Sequence, residues 1–98
     1  MADRITMDRV YFYIDRYNSC VEELFNLYGV DMPKIGVHSA YGYKVLTTKD
    51  GSTDIRCGLS TREAYEMVYG MWRVADMTRS NMERTARNAA MQYEVYGY

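Results

Sequence analysis

Apolar residues recur at alternating spacings of three and four through the first third of the chain: Met7, Val10, Ile14, Tyr17, Val21, Leu24 and Tyr28, with Tyr13, Cys20 and Leu27 widening the stripe. A period near 3.6 predicts an amphipathic helix over about residues 7–28. Thr6 is the expected N-cap and Asp8 favours the first turn. Gly29 is the expected left-handed stop. The segment Val10-Tyr-Phe-Tyr-Ile14 has high strand propensity, but a stripe of seven matched positions outweighs five local preferences. Tyr11 and Phe12 fall off the stripe. Tyr11 shares a face with Asp15, Asn18 and Glu22, and Phe12 with Arg16, Ser19 and Glu23, so both are expected at least partly in solvent.

The period then changes. Residues 30–40 read as a connection punctuated by Pro33 and Gly36, in which Ile35 and Val37 form either a short edge strand or a core plug. Two runs of strand character follow, about 41–48 and 52–58, around Lys49-Asp50-Gly51. A two-residue Asp50-Gly51 turn pairs Leu46 with Ile55 and scatters apolar residues over both faces. A three-residue loop with Gly51 left-handed pairs Val45 with Ile55, Tyr43 with Cys57 and Tyr41 with Leu59, all six on one face. A one-residue slip exchanges the faces, so the apolar pattern selects the second register.

Ser60-Thr61-Arg62-Glu63 is a capping box, with Leu59 and Ala64 at the staple positions. Behind it Ala64, Tyr65, Val68, Met71, Trp72 and Ala75 point inward. Gly70 lies inside this helix and costs about 1 kcal/mol against alanine, which suggests a close packing contact there. Thr78, Met82, Ala86, Ala89, Tyr93 and Tyr96 continue the stripe in phase, which predicts one helix over about 61–96, ended by Gly97. A second capping-box pattern, Ser80 to Glu83, marks a kink or break near 79–80. The alanines are expected to pack closely on the first helix. The predicted class is α+β in one domain: a long N-terminal helix, a two-stranded antiparallel hairpin and a long C-terminal helix. A lone hairpin is marginal in water, so it packs on the helices or extends its sheet in a homodimer.

Composition adds limits. The chain has 98 residues and net charge −1, which excludes a bulk electrostatic grip on nucleic acid. The charge is uneven: residues 1–31 are acidic and residues 32–60 basic, so the two segments attract each other. Cys20 and Cys57 sit within apolar patterns and read as free, buried thiols. No run is long and apolar enough for a membrane span and no signal-peptide core is present, so the expected location is cytoplasmic, away from membranes. Eleven residues are Tyr and eight are Met, types that serve a half-buried core or a wet interface.

Candidate chemistry is sparse. His38 is the only histidine, without a nucleophile elbow or metal-ligand spacing around it. Glu22 and Glu23 diverge by about 100° on a helix, and Glu63 is occupied by capping. Gly36 to Gly42 lacks the Lys-Ser/Thr ending of a phosphate loop. No catalytic, cofactor or metal residue is therefore assigned, and no enzyme activity is expected. Arg84, Arg87 and Asn88 share one helical flank and are base-reading types, which keeps a nucleic-acid-binding regulator open. A small ligand-binding domain stays open through a pocket near His38 or Cys57. The aromatic surplus points to another protein as partner: Tyr11, Phe12, Tyr69, Arg73, Tyr96 and Tyr98 are the expected contact residues, with Tyr69 exposed between Arg62, Glu66, Arg73 and Asp76. In size and style, though in no motif, the chain looks like small phage- and mobile-element-encoded inhibitors of host-defence nucleases such as anti-CRISPR proteins. The expected function is non-enzymatic inhibition or regulation by covering a partner's surface.

Overall fold

The computed structural model describes residues 5–96, with side chains through Met91. Helix α1 spans Met7–Tyr28, strands β1, β2 and β3 span Ile35–Ala40, Tyr43–Thr48 and Asp54–Leu59, and helix α2 spans Thr61–Tyr96. The α+β class is as expected, but the antiparallel sheet has three strands in the order β1-β2-β3. Thr6 sits at the N-cap in extended conformation without a side-chain cap bond. Gly29 takes φ +68°; its N–H bonds to the Phe25 carbonyl and the Val30 N–H to the Leu24 carbonyl, closing α1 as predicted.

Most of the predicted connection over 30–40 is strand β1. Its six residues pair with β2 from Ile35↔Thr48 to Ala40↔Tyr43. Tyr41 and Gly42 link the strands, both at positive φ, 54° and 81°, which is the two-residue turn whose twist suits a hairpin. Tyr41 thus does not open a strand and face inward; it stands fully exposed at the tip.

The predicted β2–β3 register is also corrected. Gly51 is left-handed as expected (φ +77°), and its N–H bonds to the Thr48 carbonyl. The loop closes one residue later, however, with the Thr48 N–H on the Thr53 carbonyl at 2.9 Å. Thr47 faces Asp54, Leu46 faces Arg56 and Lys44 faces Leu59. Two extra residues therefore lie on the β3 side, one at Ile55 and one at Cys57-Gly58, with Gly58 left-handed (φ +69°) as a bulge allows. The longer loop turns Leu46 into the core and leaves Ile55, Cys57 and Tyr43 in solvent, with only Val45 and Leu59 buried among the six residues assigned inward.

The core forms where α1, α2 and one sheet face meet: Val10, Ile14, Tyr17, Cys20, Val21 and Leu24 from α1, Ile35, Leu46 and Leu59 from the sheet, and Ala64, Val68 and Ala75 from α2. Leu27, assigned to the stripe, is exposed although Tyr28 beside it packs on the core, so Leu27 lies off the covered face of the last turn. The capping box forms both reciprocal bonds, Ser60 N–H to Glu63 Oε1 at 3.0 Å and Glu63 N–H to Ser60 Oγ at 3.1 Å. Tyr13 packs near Tyr65 and Tyr69 while Glu23 meets Arg79, so the helices run parallel. Helix α2 is continuous through the second capping-box pattern. Arg79, at the expected break, instead ties α2 to α1 through Glu23 (3.1 Å) and is held on its own helix by Asp76 (2.7 Å).

At 36 residues, α2 is about 54 Å long and outruns the 22-residue α1. Residues 83–91 are exposed, so Ala86 and Ala89 do not pack on α1 as expected. Gly70 is likewise not a packing glycine, since a Cβ there meets nothing within 4 Å.

Candidate interaction surfaces

The expected contact residues separate onto different surfaces. On one flank of the helix pair the Tyr13 ring touches Phe12, Tyr65, Tyr69 and Trp72 at centroid distances of 5.1 to 5.7 Å. The i,i+4 spacing of Phe12 and Arg16 lays the guanidinium 4.9 Å from the Phe12 ring, and it also lies 5.5 Å from the Trp72 ring. Phe12 remains half-exposed. Tyr69 is half-buried in this cluster rather than standing free on its flank, because α1 brings Tyr13 against it. Arg73, one turn further, is exposed.

Tyr11 belongs elsewhere. It lines a groove of about 410 Å³ between α1 and the edge of β1, with Ile14, Asp15, Asn18 and Val37 among its walls. Asn18 crosses this groove: its Nδ2 donates to the Ile35 carbonyl at 2.9 Å and its Oδ1 accepts from the Ile35 N–H at 2.8 Å. Glu22 pairs with Lys34 at 3.7 Å, which is how the acidic first segment meets the basic second one.

On the outer sheet face, His38, Asp54 and Cys57 line a shallow depression with Tyr41, Tyr43 and Val45. Cys57 Sγ lies 3.7 Å from Asp54 Oδ2. Among the described residues no three His, Cys, Asp or Glu side chains are placed to hold a metal. No helix of the described chain is long and apolar enough to cross a membrane.

Arg84, Arg87 and Asn88 lie exposed on the overhanging part of α2. Arg84 donates to Asn81 at 2.8 Å and Arg87 to Glu83 at 3.3 Å, so both guanidiniums already have neighbours on their own helix. Tyr98, Gly97 and the side chains of Gln92, Tyr93 and Tyr96 lie outside the described residues.

Protonation equilibria mark the local packing. Burial pushes Cys20 and Tyr17 upward, and the Tyr17 hydroxyl donates to the Pro33 carbonyl at 3.0 Å. Asp50 is lowered to about 2 by bonds from the Ser52 N–H and the Thr48 and Ser52 hydroxyls. Glu63 is lowered by its bond from the Ser60 N–H.

Sequence reasoning missed Asn18 and Arg16. The Phe12–Arg16 spacing was a readable signal for Arg16. Nothing local in the sequence marks Asn18, whose partner is 17 residues away. In three comparisons with known proteins, no family model matches the chain, and no curated protein or solved structure matches it.

Proposed function

We propose that this chain is a non-enzymatic binding protein that inhibits or regulates by covering part of another protein's surface. One observation carries the reading: the Arg16 guanidinium lies over the half-exposed Phe12 ring and beside Trp72. Aromatic and Arg side chains are the types that dominate binding energy at interfaces, and a guanidinium stacked on rings is already ordered before a partner arrives. Arg73 adds a second cation near Tyr69, so the complementary surface is one with an acidic rim around an apolar centre. Occlusion of a host nuclease, the anti-CRISPR-like version, is the concrete form that size and composition support. It places the chain in the cytoplasm.

The test is affinity capture from the native cell, read by mass spectrometry, with the wild-type chain beside a Phe12→Ala/Arg16→Ala variant shown to be folded by circular dichroism. The expected result is a protein recovered by the wild type and lost by the variant. Identical recovery by both, or no specific protein, overturns the reading. Sedimentation equilibrium of the purified chain shows separately whether that partner is a second copy.

A further inference from the structure

The sheet has two edges, and they are finished differently. β3 carries two bulges together with Asp54 and Arg56, the devices that keep an edge from recruiting another strand. β1 pairs with β2 without a shift over all six residues, and from Ile35 to Ala40 it holds no proline, lysine, arginine or carboxylate. Its outer side is an unguarded template, apart from one rung.

That rung is Ile35. Its N–H and C=O point away from β2 and are both met by the Asn18 amide, as a neighbouring strand would meet them. Side-chain and backbone direction alternate with period two along a strand, so the N–H and C=O of Val37 and Ser39 point the same way as those of Ile35. Glu22 meets Lys34 and Asn18 meets Ile35, so β1 runs opposite to α1. Four helical residues rise about 6 Å and two strand residues about 6.6 Å. Ile14 therefore lies level with Val37, and Tyr11 near Ser39. Tyr11, Ile14 and Asp15 line the α1 side of the groove that reaches Val37, and Lys34 and Lys49 line its other end.

We infer that the β1 edge accepts an extended peptide segment of a partner protein as a fourth strand, docked between Val37-Ser39 and the N-terminal turns of α1. Main-chain bonds to Val37 and Ser39 supply the register, and alternate side chains read the wall. An apolar residue meets Ile14 and Tyr11, and a Lys or Arg meets Asp15, which has no ion pair among the described residues. The occupant is a single strand rather than a second copy. Pairing β1 with its own twofold mate sets two α1 walls against the same edge, and α1 stands close enough for one asparagine side chain to bridge to it. The site is separate from the Phe12–Arg16 flank and does not depend on it.

The test is selection of displayed random decapeptides against the full chain, followed by synthesis of a selected peptide. Ser39→Pro removes an outward N–H and leaves the β2 ladder intact; its melting curve is measured first. The expected result is about tenfold weaker binding to the folded Ser39→Pro chain, the scale of one lost hydrogen bond. Backbone N-methylation of the peptide weakens binding to the wild-type chain at every second position only, which tests the pairing without altering the protein. Asp15→Asn weakens peptides that carry Lys or Arg and spares those that do not. Selection of no peptide, or N-methyl effects without period two, overturns the inference, as does unchanged binding to folded Ser39→Pro. A wild-type dimer that dissociates on Ser39→Pro also overturns it, by assigning the edge to a second copy. The Phe12→Ala/Arg16→Ala variant binds the peptide normally, so failure of either proposal is read independently.

Discussion

Single residues show where this sequence gives up stability. Tyr41 holds φ 54° at the tip of the β1–β2 turn with its side chain fully exposed. The left-handed conformation costs a non-glycine residue about 1 kcal/mol or more, and asparagine least. Tyr41→Asn creates the preferred Asn-Gly turn, and the expected outcome in a thermal melt is a Tm higher by about 4 °C. A lower Tm means the tyrosine holds a contact that compensates its strain. The two off-stripe tyrosines separate in the same assay. Tyr69 packs on Tyr13, Tyr65 and Trp72, so Tyr69→Ser forfeits aromatic burial of about 2 kcal/mol and lowers Tm by several degrees. Tyr11 is half-exposed on a groove wall, and Tyr11→Ser shifts Tm by no more than about 2 °C. Equal losses in the two variants contradict this division. The sequence placed both side chains on exposed flanks because helical phase reports direction from one axis. It does not report that a parallel neighbour covers one of those directions.

Elements were legible in proportion to how local their causes are. Both helices, the Gly29 stop and the Ser60–Glu63 box follow from spacings within a few residues, and all appear. The third strand was hidden because its turn uses Tyr41 where asparagine or glycine is usual, so Tyr41 read as the start of β2. The β2–β3 register was hidden for a different reason. An apolar pattern selects among regular ladders, and β3 carries two extra residues that no period of two encodes. Asn18 shows the same limit at the candidate edge site: an asparagine on a helix flank looks solvated until β1 is brought to it. The α2 overhang makes an element-scale prediction. Residues 83–91 are exposed, and an unsupported helix of that length is marginal in water, so it adds little to the fold. Deleting everything after Glu83 is expected to reduce the far-UV helical signal while moving Tm by less than about 2 °C. A fall beyond about 5 °C, on the order of 1 kcal/mol for a domain of this size, shows that the overhang packs back onto the domain.

At the scale of the molecule, three connections hold the layers in place: Tyr17 to Pro33, Asn18 to Ile35, and Arg79 to Glu23. Two titratable groups are buried beside them. Cys20 is raised by burial, with Asp76 and Glu23 adding to the rise and Arg79 opposing it, and Tyr17 is raised by burial with Cys20 adding to it. In both cases the folded state favours the protonated form. Their contribution to stability is therefore complete below the unfolded-state values, about 8.5 for the thiol and about 10 for the phenol, and is lost as pH rises toward the higher folded values. The expected outcome is a Tm that is level near neutral pH and declines above about pH 9. A Cys20→Ala/Tyr17→Phe variant starts lower at neutral pH, because it lacks packing and the Pro33 bond, but its decline between pH 9 and 11 is shallower. Every other group is common to both proteins and cancels in the difference. Parallel declines remove Cys20 and Tyr17 as the cause, and place the alkaline sensitivity in groups outside the junction where α1 meets α2 and the approach to β1.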